Sequence, residues 1–129
     1  MEKDLFQQFD NGALANAGQV LDLGSCAWNA HKDFAGVFLK NLVTAEQTAG
    51  LLTCHLVRIE PDCKIGLHTH PGSIELHEVI KGSGTCLMNQ GEVYYAPGVM
   101  AVIARNEPHE VRAGEEGLFL FAKFITVPA

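Results

Sequence analysis

Apolar and polar positions alternate along this chain in short runs, and turn residues break nearly every one. The runs occupy 20–23, 34–43, 51–59, 74–81, 85–89, 93–96, 99–104, 109–112 and 118–127. A period of two sends successive side chains to opposite faces of a strand, so each run reads as a half-buried strand. The gaps carry Pro61-Asp62, Pro71-Gly72, Gly82-Ser83-Gly84, Asn89-Gln90-Gly91, Pro97-Gly98 and Asn106-Glu107-Pro108. Many short strands with regular turn signals predict an all-β sandwich or barrel. A helical period competes only in the first fifty residues, where 44–50 could form one short turn. Residues 1–18 are polar and small, with Asn11-Gly12 as a turn signal, and read as an arm or short helix. Residues 19–129 then form one β domain without internal repeats.

Composition narrows the setting. At 129 residues the chain can bury a core without staples. A net charge of −6 and the lack of any Lys/Arg run argue against nucleic acid and anionic membranes as partners. No apolar run has the length of a membrane span. The start, MEKDLFQQFD, lacks a basic segment followed by an apolar one, so a cytoplasmic protein is expected. Cys26, Cys54, Cys63 and Cys86 form no Cys-x-x-Cys pair, which removes zinc-ribbon and thioredoxin-like readings. In a reducing compartment they are small apolar packing residues, with a reactive, cavity-lining Cys86 as the alternative.

The chemistry concentrates in His68, His70 and Glu75, followed thirty-four residues after the Glu by His109. On one strand His68 and His70 point the same way, and a shared cation is the simplest reason to pair two neutral imidazoles. Mixed imidazole and carboxylate ligation suits iron, manganese, nickel, cobalt, copper or zinc, and is too nitrogen-rich for calcium or magnesium. The structural alternative is a set of strand histidines hydrogen-bonded to their neighbours.

The segment resembles the first motif of the cupin superfamily: His-x-His, a gap, Glu, six residues and Gly, here His68, His70, Glu75 and Gly82. Asp62, after Pro61, stands where the family has glycine, and Asp tolerates turn conformations. The second motif is looser. Gly98 opens it and His109 falls at the last ligand position, with Ala104, Asn106 and Ala113 replacing the family proline, glycine and asparagine. Asn106 can still adopt a left-handed turn and deliver His109. The resemblance spans roughly 51–127. It implies a cupin-type jelly-roll β-barrel with an N-terminal arm, binding one divalent transition metal per chain through His68, His70, Glu75 and His109. Register with Glu75, Gly82 and His109 favours the metal over the structural alternative.

On this reading the chain is a metal-dependent enzyme acting on a small carboxylate or carbonyl compound, of isomerase, lyase or dioxygenase type. Three neutral ligands and one anion leave about one positive charge on a divalent ion, which favours anionic guests. His77 shares the Glu75 face and is the first candidate for proton transfer; a hydrogen-bonded strand histidine is the alternative. His55, on a mostly apolar face, reads as a satisfied core histidine, and His31 as a loop residue. The competing function is a non-catalytic small-ligand-binding or sensing module. The last strand is apolar on both faces, so its outer side needs cover from the arm or a second subunit, and a homodimer is expected.

Overall fold

The computed structural model describes residues 2–128. A single α-helix among them, α1 (Leu5–Asp10), is followed by the hairpin β1 (Ala13–Asn16) and β2 (Gln19–Asp22). The remaining strands are β3 (Trp28–Ala30), β4 (Val37–Val43), β5 (Leu52–Ile59), β6 (Lys64–His68), β7 (Ser73–Met88), β8 (Gly91–Tyr95), β9 (Met100–Ile103) and β10 (His109–Thr126). The short turn expected at 44–50 is a 3-10 helix, Ala45–Thr48.

Eight strands form one antiparallel sheet along the path β3-β4-β5-β10-β7-β8, with β6 added on β10 and β9 on β7. This corrects the closed jelly-roll barrel expected above: the path is open, and among the described residues no ladder joins β3 to β8. The reason lies in the long strands. On the side away from β7, β10 pairs first with β6 near His109 and then with β5 from Leu118 onward. On the side away from β10, β7 pairs with β9 over Glu75–Glu78 and then with β8 over Gly84–Met88. The short strands are therefore branches on two long ones rather than links in a ring.

Two of the predicted breaks, at 82–84 and between the runs 109–112 and 118–127, are bends. Gly82-Ser83-Gly84 reads as a turn, yet β7 runs through it for 16 residues. Gly82 and Gly117 both have φ of +81°, and the β7–β10 register shifts between Ala113 and Leu118. A Cβ on Gly82 would collide with the Gly117 carbonyl. Glycine is thus needed for a close backbone crossing, and the strand bends without ending.

The two faces of the sheet bury separate cores. Inside, Val37, Val57, Ile59, Val79, Leu118 and Leu120 pack with Cys86 and Tyr95. Outside, α1 covers the final strand: the Phe6 ring lies 4.7 Å from Phe119, and the Phe9 ring 4.8 Å from Phe121. A capping box between Asp4 and Gln7 starts this helix. The buried Lys40 Nζ holds its end, donating to both the Asp10 carbonyl and carboxylate at 2.6 Å. The N-terminal segment therefore supplies cover that the apolar outer face of β10 requires.

Candidate metal centre

β6 ends at His68, so His70 lies in the connection to β7 rather than on the same strand. Its carbonyl accepts the Asn106 N–H at 3.0 Å, which ties this connection to the turn before β10. Asn106 takes φ of +65° there, the left-handed conformation its side chain tolerates. One residue on, the Glu107 side chain accepts the Ala104 N–H at 3.0 Å and fixes the approach to His109. His109 opposes His68 directly across the β6–β10 ladder.

One donor atom each from His68, His70, Glu75 and His109 lies within 4.8 Å of the others. Backbone carbonyls orient two of the rings. His68 Nδ1 stands 2.7 Å from the Gly66 oxygen, and His109 Nδ1 2.9 Å from the Glu107 oxygen. A carbonyl only accepts, so both Nδ1 atoms carry hydrogen and a neutral ring turns its Nε2 lone pair to the cluster. His70 Nε2 is buried without a hydrogen-bond partner, 3.4 Å from Glu75 Oε1. A buried, unpartnered nitrogen beside a carboxylate is costly unless a cation sits between them.

Glu75 is the hub. Its Oε1 is 3.0 Å from His109 Nε2, and its Oε2 is 2.8 Å from His77 Nε2. Burial pushes this carboxyl up, but hydrogen bonds from His109 and His77 and the nearby His70 outweigh it and hold it well below the usual carboxylate range. Burial likewise pushes His109 down, and its bonds to Glu75 and the Glu107 carbonyl outweigh that and raise it. For His68 burial prevails and favours the neutral ring. With an ionised Glu75 accepting at Nε2, the neutral His77 leaves Nδ1 to accept the Tyr95 O–H at 2.8 Å. Burial keeps the Tyr95 phenol above its ordinary range, and so protonated.

The donor set fits one divalent transition ion. Its atoms converge, the lone pairs of two rings are aimed by their backbone bonds, and one buried nitrogen lacks any other partner. Beside it opens a cavity of about 90 Å³ lined by His31, His68, His70, Glu75 and His77. Leu39, Val57, Ile65, Val111, Leu120, Ala122 and Phe124 make the rest of its lining apolar.

Several residues stand apart from the site. Cys86 is fully buried in the inner core, where burial raises its thiol, and it does not line this cavity. His55 Nδ1 pairs with Asn41 Oδ1 at 2.8 Å. The sequence reading missed His31 and Tyr95. Tyr95 had one legible signal, its place in the alternating run 93–96. His31, in the loop after β3, had none.

This open antiparallel sheet with a three-histidine, one-carboxylate cluster defines a β-fold metal-site protein. A match to the cupin domain covers residues 55–122, over half of the 129-residue chain, and the chain belongs to that family. Among curated proteins none matches. The fold is similar to that of a predicted oxalate decarboxylase from Thermotoga maritima, with a TM-score of 0.74 at 20% identity, covering 81% of this chain and 96% of that one. KdgF from a Halomonas species gives 0.68 at 16% identity, covering 79% and 89%. The polyketide cyclase RemF from Streptomyces resistomycificus gives 0.71 at 17% identity, covering 81% and 78%. Among the described residues no helix is long and apolar enough to cross a membrane.

Proposed function

We propose that the chain is a metal-dependent enzyme acting on a small carboxylate or carbonyl compound. The observation that carries this reading is the convergence of His68, His70, Glu75 and His109 beside a small cavity that the first three line. A bound divalent ion would supply Lewis acidity, or redox chemistry if it is iron, manganese or copper. His68, His70, Glu75 and His109 are the proposed ligands. Three imidazoles and one carboxylate keep about one positive charge on such an ion, which favours an anionic guest. The likeness in fold to a predicted oxalate decarboxylase supports a carboxylate substrate.

The protein's own groups bind, orient and exclude water. The Gly66 and Glu107 carbonyls fix the His68 and His109 rings, and the His77 bond fixes the Glu75 carboxylate. His77 also lines the cavity, the position from which it would exchange a proton with a guest once its Glu75 bond opens. Full turnover by a His77→Ala protein with normal metal content would remove that role.

Elemental analysis of protein purified without added metal or chelator tests the reading. One transition ion per chain is expected; no metal at any stoichiometry, even after reconstitution, overturns it. Guest binding without turnover by the loaded protein would favour a sensing module. We also propose a cytoplasmic homodimer. The four free cysteines support a reducing compartment. Beyond the cover of α1, Ile74, Met100, Val102 and Ile125 leave apolar side chains exposed for a second copy. A monomer by sedimentation at micromolar concentration contradicts the dimer.

A further inference from the structure

We infer that the cavity selects a short monoanion with an apolar tail and rejects dicarboxylates and polyhydroxylated compounds. The inference rests on the metal-centre reading above and adds the chemistry of the walls to it. Beyond the proposed ligands, seven of the lining side chains are aliphatic or aromatic, and the two others are His31 and His77. Among the described residues no Lys or Arg lines the cavity.

Four of the nine Lys and Arg side chains are engaged elsewhere. Lys40 is bound to Asp10, Lys81 to Asp4 and Lys123 to Glu78. The Arg58 guanidinium stacks 4.9 Å from the Trp28 ring and 4.5 Å from the Phe38 ring. One anionic head would balance the charge of the occupied site. A second carboxylate on the same guest would be buried largely against hydrocarbon with no Lys or Arg to pair with, which is strongly unfavourable.

Hydroxyl groups fare no better. Both His77 nitrogens already have partners, Glu75 and Tyr95, so a hydroxyl gains a bond there only by breaking one. His31 Nδ1 accepts the Asp33 N–H at 3.1 Å, so the neutral ring has one remaining donor, Nε2–H. The walls can satisfy one acceptor on the guest beyond its head, whereas a sugar-like chain would bury several unpaired hydroxyls. Size points the same way. The space of about 90 Å³ is smaller than the roughly 150 Å³ cavity that encloses benzene, so a short branched aliphatic tail fits.

The test uses the whole chain loaded with cobalt(II), at about pH 8 where ordinary imidazole is neutral. Isocaproate and succinate have matched shapes, two methyl groups in one replacing the two oxygens of the second carboxylate in the other. Cobalt uptake is measured first from the visible spectrum, then the affinity of each acid from the spectral change and by calorimetry. Isocaproate should bind at least about a hundredfold more tightly than succinate. Succinate binding as tightly as isocaproate, or neither acid binding to cobalt-loaded protein, overturns the selectivity and leaves the metal centre standing. Failure to take up cobalt overturns the metal centre and the inference together.

Discussion

Tyr95 Oη donates to His77 Nδ1 across 2.8 Å, in a place where both residues are almost completely buried, at 0% and 3% exposure. Through the other nitrogen of that ring the bond continues to Glu75 Oε2, also at 2.8 Å. A phenol, an imidazole and a carboxylate thus form one line that orients the only anionic member of the cluster. Tyr95→Phe keeps the ring and removes the donor. It should cost about 1–3 kcal/mol of stability, since His77 Nδ1 is left unsatisfied. It should also weaken metal affinity by about tenfold to a hundredfold. Competition with a chelator of known affinity measures this, and an unchanged affinity would show that the line does not act on the metal.

His109 brings the second half of the site, from a motif with three family positions altered. His109→Ala should lower the metal content of the purified protein well below that of the wild type, leaving Glu75 without a bond to Oε1. His55→Ala, at a ring paired with Asn41 outside the cluster, should retain full metal content. Equal metal content in the two variants would remove His109 from the ligand set.

Metal binding should weaken as the pH falls. In the metal-free protein the His109 pKa is raised above its ordinary value of about 6.5. A ligand needs the lone pair that this proton occupies. Below the raised pKa, each pH unit should therefore cost about tenfold in affinity for that ligand alone. The proton's own contribution to metal-free stability has the opposite trend. It is present in full below the unfolded value and is lost as the pH rises through the raised folded value. The gain in melting temperature on adding zinc should consequently be larger at about pH 8 than at about pH 6. A pH-independent gain would contradict the proton competition.

The N-terminal helix should be integral to stability. Asp10 Oδ1 accepts from Lys40 Nζ at 2.6 Å and from Trp28 Nε1 at 3.0 Å, and Lys40 is 2% exposed. Asp10→Ala leaves a buried ammonium without its carboxylate and should cost about 3–5 kcal/mol. Denaturant unfolding checks this, and a loss below about 1 kcal/mol would mean that Lys40 finds water instead.

Gly82→Ala should be strongly destabilising for a different reason. The position combines a left-handed φ with the Gly117 carbonyl where the new methyl group must go. A loss of more than about 2 kcal/mol is expected, because the obstacle is backbone that cannot rotate away. A smaller change in the unfolding midpoint would show that β7 and β10 can separate there.

How much of this was legible depends on range. The strand runs at 51–59 and 74–81 fall on β5 and the first half of β7, since alternation is a local property of the chain. The same local reading took Gly82-Ser83-Gly84 for a turn, because a bend needs the opposing Gly117 to be recognised as one. His68 and His70 were read as one strand face, although the strand ends between them and a bond from Asn106 holds the second. His31 reaches the cavity from a loop that carries no periodicity at all.

The chain alone determined the alternation that makes strands, the glycine that permits the bend, and the identity of the four side chains able to share a cation. These follow from side-chain period, backbone sterics and donor chemistry, which act over a few residues. Only the tertiary structure decided that the sheet stays open, that carbonyls aim His68 and His109, and that Tyr95 stands behind His77. It also decided that the cavity walls are mostly hydrocarbon and that, among the described residues, no Lys or Arg lines them. Those outcomes depend on how two long strands pair with partners far away in the chain. That pairing is set by the summed packing of both faces of the sheet, not by any one segment.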